Sequence, residues 1–394
     1  STHESGVNPG APEPEFSSPY THVAARWEED LGRFGLDRIG RVDLPRAIAW
    51  SVVVTWLPLL VLSVVEGVAW KTGLQVPFLR DFLPYGQFLL AVPVFVAAET
   101  LIGRRLVLAA AELHRSEVLS SEDRPQLESL LRRGSAMWGG WRTNGVILLV
   151  TIAVAVVSLF EVREWLTGSW QYVDDRLTLP GWWYLLIALP IMRFLALRWV
   201  WRFLVWSWVL WRTSALDLHP RAEHPDRAGG LAFLGEAQVV FGWIVFAFGA
   251  QLACLLADQV QIQGVELMAF WTYVAAYVAI AVCVLVVPLL SFAPKLARAR
   301  YDTLLFLSGR GFEGAEIVRT RLRGEPGGPL PDSVISGLAD YGTLFENARL
   351  MRPVPLEWRH IGVIMTAAAI AFVPLVFLVM PAQEVMRTVV KLML

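Results

Sequence analysis

An all-α, polytopic membrane fold with about seven transmembrane helices is what this 394-residue sequence predicts. Hydrophobic residues make up 55% of it and charged residues 18%, whereas a soluble domain carries about 25% charged residues. Mean hydropathy is +0.50. The apolar residues gather in seven runs, roughly 46–70, 83–103, 143–162, 181–206, 236–257, 267–292 and 361–381. Each is near the length of about 20 residues that a helix needs to cross a bilayer. Backbone groups in hydrocarbon must be satisfied within the segment, so the runs are expected as helices rather than open strands.

Lysine and arginine set the expected orientation, because positive loops stay cytoplasmic. Of the 34 such residues, 25 fall in the N-terminal segment to Arg46 and in 104–142, 212–235 and 293–360, against 6 in the alternate segments. The N-terminus is therefore expected in the cytoplasm and the C-terminus outside. A net charge of −1 and the lack of a basic aromatic groove motif leave no sign of a nucleic-acid partner. Cys254 and Cys283 fall within predicted spans five and six and are expected as packing residues.

Taken in order, residues 1–25 lack the early apolar run of a signal peptide and are rich in Pro, Ser, Gly and Glu. They are expected as a disordered cytoplasmic tail. Residues 26–103 hold a lead-in and the first two spans. Residues 104–142 read as a cytoplasmic helical hairpin broken at SEVLSSEDRPQ, with Ser120 or Ser121 capping the second helix. Residues 143–292 form a four-span core that includes the cytoplasmic loop 212–235. The insertion 293–360 reads as further cytoplasmic helices, the first ending at Gly309 or Gly311. A last span, 361–381, and an amphipathic outer tail, 382–394, complete the chain.

The fourth span is unusual. It contains Arg193, Arg198 and Arg202 among seven tryptophans between 182 and 211. Charged residues in hydrocarbon are costly and usually face a bundle interior or water. Arg193 falls near mid-membrane, whereas Arg198 and Arg202 lie one turn apart on one face, where snorkelling to phosphates is the alternative. The intervals of five and four exclude the three-residue repeat of a voltage sensor. Glu99, near the cytoplasmic end of span two, is an acidic partner, so Arg193, Arg198, Arg202 and Glu99 are the pore or gating candidates. Glu66, Glu161 and Asp258 fall together by depth at the outer ends of spans.

The loop DLHPRAEHPDRAGG, residues 217–230, joins this span to the next. Pro220 and Pro225 push His219 and His224 out of the α region and stiffen the loop. Gly229 and Gly230 permit positive φ or close backbone approach, and Asp226 is placed to cap the following helix. Four readings stay open. Asp217, His219, His224 and Asp226, with Glu236 and His360 from the same membrane boundary, offer imidazole and carboxylate ligands for a divalent metal. Arg227 with the amides of Gly229 and Gly230 offers an anion cradle. A histidine–aspartate pair offers general acid–base catalysis, although no nucleophile motif stands beside it. The fourth reading is a rigid interfacial turn.

The stretch RWVWRFLVWSWVLWRTSALDLHPRAEHPDRAGGLAFLG, residues 198–235, resembles a group of uncharacterised bacterial multi-pass membrane proteins. They share a Trp/Arg-rich span followed by an HPD-x-x-GGL-x-FL loop, and YGTLFENARLMRPVP in 341–355 loosely resembles a second segment of theirs. The resemblance implies a bacterial inner membrane and a shared architecture, and it brings no activity or site residue with it. The tripeptide HPD also occurs between two soluble helices in J-domain co-chaperones, but here it leads into a membrane span.

The functional expectation is a bacterial inner-membrane channel or transporter for an ion or small solute, homo-oligomeric, with a His/Asp loop that binds a regulatory ion or phosphate. The alternatives are a membrane-embedded, metal-dependent enzyme at the cytoplasmic surface and a membrane sensor or scaffold. Expected partners are membrane lipids, further copies of the chain and a cytoplasmic protein. The only cofactor suggested is a divalent metal.

Overall fold

The computed structural model of the chain describes residues 43–71, 73–166, 169–263, 270–322 and 332–374. The expected tails 1–25 and 382–394 lie outside them. The helices are α1 (Leu44–Val65, interrupted at Trp56), α2 (Phe82–Arg115), α3 (Arg124–Gly139), α4 (Trp141–Leu166), α5 (Leu179–Ser214), α6 (Ala232–Val239), α7 (Gly242–Gln263), α8 (Trp271–Leu290), α9 (Ala293–Leu322), α10 (Asp332–Leu350) and α11 (Trp358–Ile370). Among the described residues, six stretches are long and apolar enough to cross a membrane: Leu44–Val65, Phe82–Arg115, Arg124–Phe160, Leu179–Ser214, Ala232–Val260 and Trp271–Leu290. The seventh predicted run, 361–381, is helical in α11 to Ile370, and 375–381 lie outside the described residues.

One departure from all-α structure is a hairpin, β1 (Tyr172–Val173) paired antiparallel with β2 (Arg176–Leu177). Its two turn residues, Asp174 and Asp175, have φ of 51° and 61°, the left-handed pair of a tight type I′ turn. The hairpin precedes α5 and the 217–231 loop follows it, so the two mark opposite ends of the bundle, here the hairpin face and the loop face.

Prolines shape the spans. Pro58 cannot donate to the Val54 carbonyl; the indole N–H of Trp183 donates to it instead, at 3.2 Å. Pro93 and Pro190 each follow a stretch of π-helix, Tyr85–Ala91 and Tyr184–Ala188. A proline ring clashes with the carbonyl four residues back, and a wider turn moves that carbonyl aside. The two π segments meet, with Phe88 edge-on to Tyr184 at 5.9 Å and the Tyr184 hydroxyl 3.3 Å from Gln87 Oε1.

These π segments fall within the smaller core at the hairpin face, around Phe78, Phe88, Trp170 and Tyr184. The larger core at the loop face gathers Phe95, Ile102, Leu127, Trp199, Trp206, Leu234 and Leu289 from five elements. Gln238, fully buried, ties that core together. Its amide accepts from the Trp206 indole at 2.9 Å and donates to Leu285 O at 2.7 Å, so neither buried polar group is orphaned. Close helix approach uses small residues, as where Gly249 of α7 meets Ala371.

Two sequence expectations need correction. Neither Ser120 nor Ser121 caps the helix after the break; α3 starts later, at Arg124, behind Asp123. Asp123 makes no cap bond to the amides of its helix; its carboxylate accepts from the Asp217 amide at 2.7 Å and from the Gln126 side chain at 2.8 Å. Nor does a helix end at Gly309 or Gly311, since α9 runs unbroken to Leu322. A Cβ at Gly311 would stand 2.4 Å from the Tyr341 hydroxyl, which donates to Leu307 O. That glycine is a notch for α10 rather than a stop.

Candidate functional site

The charged candidates of the fourth span converge where α2, α3 and α5 pack. Glu99 of α2 lies 2.6 Å from Arg202 and 3.1 Å from Arg198, both on α5. Four residues of helix put the two arginines on one face, so a single carboxylate reaches both. Arg202 is 3% exposed, Arg198 23% and Glu99 34%. The Arg202 guanidinium also lies 5.1 Å from the Trp138 ring and 4.9 Å from the Trp199 ring, a cation–π enclosure that offsets part of its desolvation. Indole donors fix the enclosure: Trp199 to Phe95 O at 2.9 Å and Trp201 to Met137 O at 3.0 Å. Arg198 and Arg202 are thus carboxylate-paired rather than snorkelling.

Arg193 stands apart. It is half-buried and donates to Ser158 of α4 at 3.0 Å. Nine residues at about 100° each turn it roughly half-way round the helix from Arg202, so the three arginines do not form one ladder. The network of Glu99, Arg198 and Arg202 carries two positive charges and one negative.

The 217–230 loop is held from several sides. Residues 118–120 pair with 217–219, through an antiparallel bridge Leu119–Leu218 and a 2.7 Å bond from His219 N to Val118 O. The backbone then turns left-handed at Arg227 (φ 54°), Gly229 (67°) and Gly230 (87°). A Cβ at Gly229 would lie 2.7 Å from Pro220 Cβ, and one at Gly230 would lie 2.8 Å from a Val118 methyl. Only glycine fits at both.

That turn aims the amides of Ala228, Gly230 and Ala232 at one point, and the Asp226 carboxylate occupies it at 2.9, 3.1 and 3.1 Å. The anion expected at Gly230 is therefore the chain's own aspartate, which also caps α6. Partial burial acts to raise the Asp226 pKa, but the three amides and His224, 2.8 Å away, outweigh it and hold it below the ordinary carboxylate value. Arg227 is exposed, and its carbonyl and that of Asp226 accept from Arg352 at 2.8 and 2.7 Å.

The metal candidates do not come together. His219 pairs with Asp217 at 3.6 Å, both exposed, while His224 and Asp226 form a separate pair. Both ring nitrogens of His360 are engaged: Nδ1 accepts from Glu357 N at 3.2 Å, so Nε2 carries the proton and donates to Glu236 at 3.1 Å. Glu236 also takes Arg359 at 2.5 Å. Among the described residues, no group of three or more His, Cys, Asp or Glu side chains is arranged to hold a metal ion.

Some contributors carry no local signal in the sequence. Lys295 donates to Leu216 O, Asn347 to Glu223 O at 3.2 Å, and Arg352 clamps the loop as above, so α9 and the α10–α11 connection grip the junction. At the hairpin face, the buried Asp81 accepts from the Trp170 indole at 2.7 Å, and burial pushes its pKa up against that bond. Asp258 accepts from the first amides of α2, Phe82 and Leu83, at 2.9 and 3.2 Å. Glu66 accepts from Leu179, the first residue of α5, at 2.6 Å. Of Glu66, Glu161 and Asp258, two thus serve helix N-termini, and the Glu161 side chain lies outside the described residues. No protein-family model matches the chain, and searches of curated proteins and of solved structures find no match either.

Proposed function

We propose that this protein moves a small anion across a bacterial inner membrane, as a homo-oligomer with its N-terminus in the cytoplasm. The observation that carries the reading is the network of Glu99, Arg198 and Arg202, whose net charge is one positive at the level of the apolar spans. Ionised groups at that depth mark solute paths more often than they stabilise folds. Arg198 and Glu99, partly exposed, are the groups that meet the solute, and Arg202, buried between two indoles, is a positioning residue for Glu99. The spans Arg124–Phe160 and Leu44–Val65 leave most of their apolar surface uncovered within the chain, free for lipid or for further copies. The positive-charge count and the resemblance at 198–235 support the membrane and the orientation.

The test is chloride against potassium flux in liposomes holding the full chain. Chloride flux that falls about tenfold or more in Arg198→Gln, with recovery in Arg198→Lys, is expected; a charge-assisted contact of about 1.5–3 kcal/mol sets that size. Absence of flux for either ion under any gradient overturns the reading. The grip of Arg352, Asn347 and Lys295 on the loop favours a second one, in which α9 and α10 relay a bound cytoplasmic protein to the spans. A soluble protein that co-purifies with the parent and is lost in Arg352→Ala supports it.

A further inference from the structure

A furrow runs between α7 and α11. Its floor is low because the facing residues are small: a Cβ at Gly242 would lie 3.4 Å from the Ala367 methyl, and one at Gly362 would touch nothing within 4 Å. Trp243, Phe246, Val363 and Ile370 wall it, and it encloses about 800 Å³. Trp243 and Val363 are about half exposed, so the furrow opens sideways onto the apolar surface of the bundle. Its polar mouth, at the loop face, is made by Arg105, Glu236 and Arg359.

Length and charge identify the occupant. From Arg359 to Ile370 a helix rises about 16 Å at 1.5 Å per residue, close to half of a hydrocarbon core about 30 Å thick. The furrow therefore spans one leaflet. At the mouth, Arg359 is matched by Glu236 and Glu357, each at 2.5 Å, and Glu236 is further engaged by His360. Arg105 is exposed and has no hydrogen-bond or ion-pair partner among the described residues. The mouth thus offers an uncompensated guanidinium and no uncompensated carboxylate. That selects a phosphate with an anionic or neutral remainder over a headgroup bearing an ammonium ion.

We propose that this furrow is a binding site for an anionic phospholipid of the leaflet at the loop face, an acyl chain lying between α7 and α11 and its phosphate against Arg105. The site stands independently of the transport reading. The test is native mass spectrometry of the full-length protein released from nanodiscs of equal phosphatidylglycerol and phosphatidylcholine. One basic side chain near a membrane surface contributes about 1 kcal/mol, so retained phosphatidylglycerol should exceed phosphatidylcholine about fivefold. Arg105→Gln should abolish the preference. Arg104→Gln, an exposed neighbour outside the furrow, should leave it intact, and Val363→Trp should lower retention of both lipids by filling the channel. A preference unmoved by Arg105→Gln, or lost equally in both arginine variants, overturns the site. So does efficient disulfide cross-linking of two copies through Val363→Cys with lipid retention unchanged, which would make the furrow a subunit contact.

Discussion

Replacing Glu99 by glutamine is the most informative single change, because the side chain keeps its shape and loses only its charge. In the parent, one carboxylate faces Arg202 at 2.6 Å and Arg198 at 3.1 Å. The variant leaves two like charges one turn apart, one of them 3% exposed. Breaking a buried ion pair from one side costs about 3–5 kcal/mol. Glu99 is itself 34% exposed, so water screens part of the interaction and the lower end, about 3 kcal/mol, applies. That is about two orders of magnitude in the unfolding equilibrium. The assay is reversible unfolding of the full chain in mixed micelles with rising dodecyl sulfate, followed by tryptophan fluorescence. Arg202→Gln and the double variant complete a cycle, and the double variant should be more stable than the sum of the singles by at least about 1 kcal/mol. A Glu99→Gln protein within about 0.5 kcal/mol of the parent, with additive singles, would refute the buried pairing.

The loop supplies two further tests. The pKa of Asp226 is depressed, so its contribution is complete above the ordinary carboxylate value of about 3.9 and fades as pH falls through the lower folded value. Asp226→Asn should cost about 1–2 kcal/mol at pH 7, the range for a lost helix cap, and the gap between the two proteins' thermal midpoints should narrow only below about pH 4; a gap already narrowing as pH falls from 7 to 5 would refute the assignment. Gly229→Ala forces a methyl to within 2.7 Å of Pro220 and 2.9 Å of Met351 Cε at φ 67°. It should cost about 1–3 kcal/mol, read as faster proteolytic nicking of residues 217–231.

Six of the seven expected spans were legible because hydrocarbon imposes a length and a composition on any helix that crosses it, and both are local properties. The stiffness of the loop was legible for a similar reason: prolines and glycines restrict the backbone wherever they occur. Partnership was not legible. Arg198, Arg202 and Glu99 stood out as costly residues, but whether they pair or snorkel depends on how α2 packs on α5, and Trp138 gave no sign that it would cover a guanidinium. Gly311 misled because a helix stop and a notch for a tyrosine both call for glycine, and only Tyr341 distinguishes them. At 217–230 the metal and anion readings ran ahead of the geometry for one reason. Both rest on the number of donors and acceptors, which sequence shows, and not on their engagement, which it does not: Asp226 is spent on three amides.

The π segments at 85–91 and 184–188 bear on how this chain tolerates change. A wide turn takes up one residue more than a regular turn, so the helix beyond it keeps the phase that the extra residue would otherwise advance by about 100°. Phe88 and Tyr184 therefore face the hairpin-face core while Glu99 and Arg202, further along the same helices, face each other. Excising one residue from 85–91 would let the wide turn close to an ordinary one and leave Glu99 facing both arginines, whereas excising one from the regular helix between Pro93 and Glu99 would turn Glu99 about 100° away from them. Substitutions within the segment leave the phase untouched. The wide turn is thus a place where the chain can lose a residue without disturbing the charge network, and length changes in the regular helix beyond it are the ones to which the network is most exposed.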